Sequence, residues 1–111
     1  MQTTVIGSKG EQIATEELIR LGYRIIDRNW KTKLCEIDII AMREGVLYFV
    51  EVKYRGTSQQ GDGFDYITDA KLKHMYRAAE LWVLRHRWAG EYILLAASVS
   101  GAGETEILEI T

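Results

Sequence analysis

Residues 36–53 read EIDIIAMREGVLYFVEVK. Two apolar-rich runs, Cys35 to Met42 and Val46 to Lys53, flank Arg43-Glu44-Gly45. That pattern predicts a β-hairpin. Alternate side chains of a strand share a face. Glu51 and Lys53 therefore point one way and Val50 and Val52 the other. Glu36 and Asp38 likewise share a face, opposite Ile37 and Ile39. A two-residue loop, Glu44-Gly45, pairs Arg43 with Val46, sets Asp38 opposite Glu51 and sets Glu36 opposite Lys53. A three-residue loop would put Asp38 and Glu51 on opposite faces unless a bulge restored the parity. The even loop is the one in which the apolar residues agree on a buried face.

Opposed Cβ atoms in a sheet lie about 5 Å apart. Two carboxylates at that range repel by roughly 3 kcal/mol at an effective dielectric near 20. A divalent cation with oxygen ligands is the simplest compensation, and Mg²⁺ takes one or two protein carboxylates plus water and phosphate. Lys53 then stands where it can stabilise a phosphate oxyanion or help activate water. Glu11 is the third carboxylate candidate: on a helix it shares a face with Ala14 and Leu18, along the buried stripe. Each residue also has a plainer reading. Glu11 fits the N3 position of a capping box begun by Ser8. Glu51-Val52-Lys53 fits the solvent face of an amphipathic strand. Lys71, Lys73, Arg77, Arg85 and Arg87 fit a solvated helix face. Cys35 reads as a small buried hydrophobe, Trp82 and Tyr76 as core. His74 and His86 lack a partner at zinc spacing.

Outward from the hairpin, a first helix is expected from near Ser8 to Leu21, stopped by Gly22. A short strand over Tyr23 to Arg28 follows, with Ile25 and Ile26 buried, and then a turn or bent connection over Asn29 to Leu34. After the hairpin, residues 55–63 (RGTSQQGDG) are polar and glycine-rich and read as a mobile loop. A long helix is expected over Thr68 to Arg87, with Leu72, Met75, Tyr76, Ala79, Trp82 and Val83 as its apolar stripe. Glu91 to Val99 and Thr105 to Ile110 read as two last strands. The order α-β-β-β-α-β-β predicts one α/β domain over residues 1–111 with a mixed sheet, its core at about 8–99.

The chain has 111 residues, 47% of them apolar and 27% charged, the balance of an ordinary globular domain. The net charge of −2 averages two unlike parts. All 14 Lys and Arg lie in residues 1–88 against 12 Asp and Glu, which makes that part +2; residues 89–111 carry only acids. A surface suited to a polyanion therefore survives the acidic total. One cysteine cannot form an internal disulfide, which points to a reducing compartment. The amino terminus shows no secretory signal pattern and no apolar run is long enough for a membrane span. Cytoplasm is the expected location, with no membrane partner.

The order Gly10-Glu11 with Ala14, Gly22-Tyr23, Arg28-Asn29-Trp30, Glu36-Ile37-Asp38, Phe49-Val50-Glu51-Val52-Lys53-Tyr54-Arg55, then Lys71 and Ala78-Ala79, resembles the YraN-like family of small bacterial proteins. That family is assigned to the restriction-endonuclease-like PD-(D/E)XK superfamily and is similar to archaeal Holliday junction resolvases. The match covers about residues 8–85 and lies in spacing as much as in any one motif. The resemblance implies a restriction-endonuclease-like core. It also implies Mg²⁺- or Mn²⁺-dependent hydrolysis of DNA phosphodiester bonds, duplex or branched, with room for a homodimer. It carries the catalytic set to Glu11, Asp38, Glu51 and Lys53, with Asp38, Glu51 and Glu11 as metal ligands. The family's lysine on the long helix matches Lys71, and the basic residues Arg55, Lys73 and Arg77 of this chain are expected to join it in contacting DNA. Two positions depart from the family pattern: Cys35 stands where Gly is usual, and the family's Arg-Phe-Asp strand is replaced near Glu91-Tyr92-Ile93-Leu94-Leu95. The rival reading is a module that binds DNA or a repair partner without cutting.

Overall fold

The computed structural model describes residues 5–56 and 64–110, with residues 5–8 as backbone only. The elements are α1 (Val5–Arg20), β1 (Arg24–Lys31), β2 (Glu36–Arg43), β3 (Val46–Gly56), α2 (Asp69–His86), β4 (Tyr92–Ser100) and β5 (Thr105–Glu109). The order is the expected α-β-β-β-α-β-β. The five strands form one sheet in sequence order, β1-β2-β3-β4-β5. β3 and β4 run parallel and every other neighbouring pair runs antiparallel, so the sheet is mixed. A parallel pair requires a crossover, and α2 supplies it.

The sheet is buried on both sides. Ala14 and Leu18 of α1 pack on Ile39, Ala41, Tyr48, Val50, Leu95, Ala97 and Val99. Met75, Ala78, Ala79 and Trp82 of α2 pack on Ile37, Ile40, Leu47, Phe49 and Leu94. Central strands covered on both faces lose polar alternation and become nearly continuous apolar runs, as in Ile39-Ile40-Ala41 and Leu47-Tyr48-Phe49-Val50. Each fully buried Leu, Ile or Val contributes roughly 1.5–3 kcal/mol of transfer free energy.

The hairpin turn is the two-residue Glu44-Gly45, with Arg43 paired to Val46. Both turn residues have positive φ, 53° and 80°, the type I′ pattern that matches strand twist. Gly22, at φ 97°, ends α1 as expected; Tyr23 N–H donates to the Leu18 carbonyl and Gly22 N–H to that of Ile19. Thr68 caps α2, its hydroxyl accepting from Lys71 N–H at 3.1 Å.

Several boundaries differ from the sequence reading. α1 begins at Val5 rather than Ser8, so Glu11 lies in the second turn and is no capping-box acid. β1 does not stop at Arg28 but continues to Lys31, passing through Asn29 at φ 56° where a turn was expected. Asn tolerates the left-handed region better than most residues, so the strand kinks and resumes. Ile25 is half-buried and Ile26 is exposed, because β1 is an edge strand that α1 covers only in part. β3 runs three residues beyond Lys53, so Lys53 lies within the strand rather than at its end. Of the expected loop, Arg55 and Gly56 belong to β3, and residues 57–63 lie outside the described residues.

α1 sits close to β3 at Gly10, where an added Cβ would lie 2.8 Å from the Tyr54 Cβ. Gly10→Ala therefore sets two effects against each other. Helix propensity favours Ala by about 0.8–1 kcal/mol, whereas overpacking costs about 1–3 kcal/mol. We expect a net loss of about 1 kcal/mol, read as a melting temperature lower by roughly 4–8 °C. A variant that melts higher would show that the helix has slack at this contact.

Candidate active site

The β2–β3 ladder is continuous from Arg43↔Val46 to Ile39↔Val50 and stops one pair short of Asp38 and Glu51. Beyond that point the two strands part. The Asp38 side chain bridges the opening, its Oδ2 accepting the Val52 N–H at 2.8 Å. Glu36 pairs across the other side of β2 with Lys31, not with Lys53. The strict alternation expected for β2 also fails here. Ile37 packs under α2 and Ile39 under α1, although only Asp38 separates them. On β1 the facing residue is Asn29, flanked by the pairs Arg28↔Ile39 and Trp30↔Ile37. The kink at Asn29 and the break at Asp38 coincide, so both strands change face together and Asp38 is turned into the gap.

The carboxyl of Asp38 is held well above its ordinary range. Burial is the largest cause, followed by the charge of Glu51. The Val52 hydrogen bond opposes both, and Glu11 and Glu36 add to the rise. The result is a pKa of about 7 against an ordinary 3.8. Glu51 lies on the α2 side of β3, as the alternation with Val50 and Val52 requires, and is half-buried. Its Oε2 is 2.8 Å from the Lys71 Nζ in the first turn of α2. That contact raises the Lys71 ammonium pKa above its usual value, with burial opposing.

Glu51, Lys53, Tyr66, Thr68, Lys71 and His74 line one cleft of about 610 Å³. A second of about 340 Å³ is lined by residues 32–36 with the same Glu51, Lys71 and His74. Lys53 is exposed toward this space. The Tyr66 hydroxyl donates to the Glu51 carbonyl at 3.4 Å, and burial with the charges of Glu51 and Asp38 pushes that phenol up. The sequence reading did not single out Tyr66, Thr68 or, for this site, His74. The signal for His74 was present, since three residues from Lys71 on a helix is the same face.

Glu11 comes from the opposite layer. It is buried on α1, with its Oε2 3.6 Å from the Arg28 Nε, while Arg28 Nη1 donates to the Gln12 side chain at 2.9 Å. It reaches Asp38 as a charge rather than as part of a shared ligand set. Among the described residues no group of three or more His, Cys, Asp and Glu is arranged to hold a metal. Of the expected carboxylates Asp38, Glu51 and Glu11, Glu11 stands beside Arg28, and Asp38 and Glu51 are the pair at the gap. Of the expected DNA-contacting residues, Lys73 and Arg77 are exposed on α2, Arg55 is half-buried, and Lys71 is turned to Glu51. Cys35 is buried with Ile37 in the α2-side core, its Sγ 3.5 Å from the Thr32 hydroxyl. Its side chain is taken up by packing.

The residues that build this gap and cleft lie within 10–99, and the model of the "Uncharacterised protein family UPF0102" matches that same stretch. The chain belongs to the UPF0102 family. A UPF0102 protein of Renibacterium salmoninarum is 40% identical over 87 residues, 78% of this chain and 74% of its own length. One of Vibrio parahaemolyticus is 37% identical over 82 residues, 74% and 68%. One of Chlorobaculum parvum is 46% identical over 74 residues, 67% and 57%. The UPF0102 match thus spans most of α1 through β4, the part of the fold that carries Glu11, Asp38, Glu51, Lys53 and Lys71. Among the described residues, no helix of this UPF0102 chain is long and apolar enough to cross a membrane.

Proposed function

We propose that this protein is a Mg²⁺- or Mn²⁺-dependent endonuclease that hydrolyses DNA phosphodiester bonds. The observation that carries the reading is the pair Asp38 and Glu51 at the point where β2 and β3 part, with Lys53 on the same strand face as Glu51. A fold gains nothing in stability from a carboxyl whose ionisation is penalised by burial and by a second carboxylate. Such a pair is suited to a hard divalent cation, which takes one or two carboxylates and completes its shell with water and phosphate. The donor set here fits that demand: two oxygen ligands, no soft ligand, and an open cleft on the Glu51 side. When bound, the cation would supply charge neutralisation at the scissile phosphate and acidify water.

The chain's own residues have separate tasks. Asp38 is anchored by the Val52 N–H, which fixes one of its oxygens. Lys53 offers an ammonium to the non-bridging phosphate oxygen, where charge develops in the transition state. Tyr66 and Thr68 line the floor on which the phosphate would rest. Glu11, paired with Arg28, adds negative charge behind Asp38 and strengthens its hold on a cation. The test is direct: purified protein with Mn²⁺ or Mg²⁺ should nick or cut at least one of linear, flapped or four-way DNA. Protein that binds all three and cuts none is a binding module.

Electrostatic contact to the duplex is expected along α2. If Lys71, Lys73 and Arg77 each meet a phosphate, log K against log salt should fall with a slope near −2.7, about −0.9 per contact. Replacing all three by Ala should flatten it. An unchanged slope returns this helix face to plain solvent.

A further inference from the structure

We infer that Lys71 is a counter-ion displaced by substrate: in the free protein its ammonium occupies Glu51, and a DNA phosphate draws it away, so that DNA and the divalent cation bind cooperatively. The inference rests on the nuclease reading and adds to it an order of assembly at the same site.

The geometry is specific. Lys71 Nζ stands 2.8 Å from Glu51 Oε2, with the two side chains 37% and 19% exposed. Water screens such a half-buried pair less than a surface one. Lys71 sits on one oxygen of Glu51, so a divalent cation taken up by that carboxylate, through either oxygen, would lie close to the ammonium, and the two cations repel. A cation that needs both Asp38 and Glu51 must therefore compete with Lys71. The backbone of Lys71 cannot yield, because its N–H is fixed by the Thr68 cap at 3.1 Å. The side chain can, since lysine carries its charge on a flexible four-carbon stem. Lys71 and Lys53 line the same cleft, so a phosphate drawn to Lys53 lies within reach of Lys71. Moving the ammonium from carboxylate to phosphate keeps it paired and frees the oxygen. Coupling of this kind is reciprocal: whatever factor DNA adds to metal affinity, metal adds to DNA affinity.

The test measures binding, not cleavage. Free Mn²⁺ is followed by electron paramagnetic resonance at pH 8, without DNA. Lys71→Met should bind Mn²⁺ about tenfold tighter than wild type, and Lys71→Gln should move in the same direction. Lys33→Met removes a charge from the neighbouring cleft, which also reaches Lys71, without a contact to Glu51, and should change affinity less than about twofold. In a Lys53→Ala background, where cutting is slowed roughly 10²-fold or more, Mn²⁺ should raise the affinity for a short duplex when Lys71 is present. It should raise it far less in the Lys71→Met double variant. Equal tightening by Lys71→Met and Lys33→Met overturns the inference, as does a Mn²⁺ effect on DNA binding that survives Lys71→Met. If Mn²⁺ binds and DNA is cut by wild type while Lys71→Met leaves Mn²⁺ affinity unchanged, only the counter-ion role falls. If neither wild type nor variant binds Mn²⁺, the nuclease reading falls and the inference with it.

Discussion

Lys53→Ala is expected to lower Mn²⁺-dependent DNA cleavage by roughly 10²-fold or more, the usual loss when one preorganised donor to a developing oxyanion is removed. The protein should otherwise be intact. Lys53 is exposed within β3, paired through its backbone with Ser98 of β4, so truncation opens no cavity and breaks no ladder bond. A surface change of this kind typically shifts stability by less than about 0.5 kcal/mol. DNA affinity should stay within a few-fold, since one lysine is a small share of the electrostatic contact. Glu51→Gln should match the loss in cleavage by a different route, giving up one carboxylate of the pair and the charge that holds Lys71. Gel assays of nicking on the best of the three DNA forms, with melts and anisotropy on the same preparations, separate the outcomes. Cleavage within threefold of wild type for both variants would remove this face of β3 from the chemistry. Cleavage lost together with the fold would make these residues structural.

Asp38→Asn is expected to raise stability without metal at neutral and alkaline pH, against the ordinary expectation for a change at a buried hydrogen bond. In the folded chain the carboxyl keeps its proton to about pH 7, whereas an ordinary aspartate loses it near 3.8. Between those values the native state binds the extra proton, so wild-type stability should fall as pH rises from about 4 to about 7 and then level off. At about 1.4 kcal/mol per pH unit, tempered by relaxation around the ionised group, the fall should be roughly 2–4 kcal/mol. Asparagine keeps an oxygen for the Val52 N–H and carries no charge to be penalised. At pH 8 it should therefore melt above wild type by roughly 8–30 °C, at about 4–8 °C per kcal/mol. At pH 4 the two should be nearly equal. Millimolar Mn²⁺ should then raise the wild-type melting temperature and narrow the gap, because it binds the native state only. It should shift the Asn variant much less. A variant that melts below wild type at pH 8 without metal, or a wild type indifferent to Mn²⁺, would count against a cation site at this pair.

The residues on which these results turn were legible in the sequence to different degrees. Local periodicity determined the hairpin. The two-residue Glu44-Gly45 turn, the Arg43↔Val46 register and the common face of Glu51 and Lys53 need only strand alternation and a turn that accepts two positive φ values. The α2 stripe over Met75, Ala79 and Trp82 and the stop at Gly22 were fixed in the same way. Tertiary structure decided what depends on non-local pairing. Strand alternation carried Asp38 to a place opposite Glu51. The coincident kink at Asn29 and break at Asp38, which β1 and β2 impose on each other, instead turned it into the gap beneath Val52 N–H. No pattern within β2 alone encodes that change of face. The acid on α1 read as a capping residue or a ligand, and packing gave it to Arg28, a residue from a different element. Lys71 read as one more cation on a solvated helix, and the approach of α2 to β3 brought it to Glu51. Periodicity assigns a side chain to a face; only the meeting of elements distant in sequence assigns it a partner.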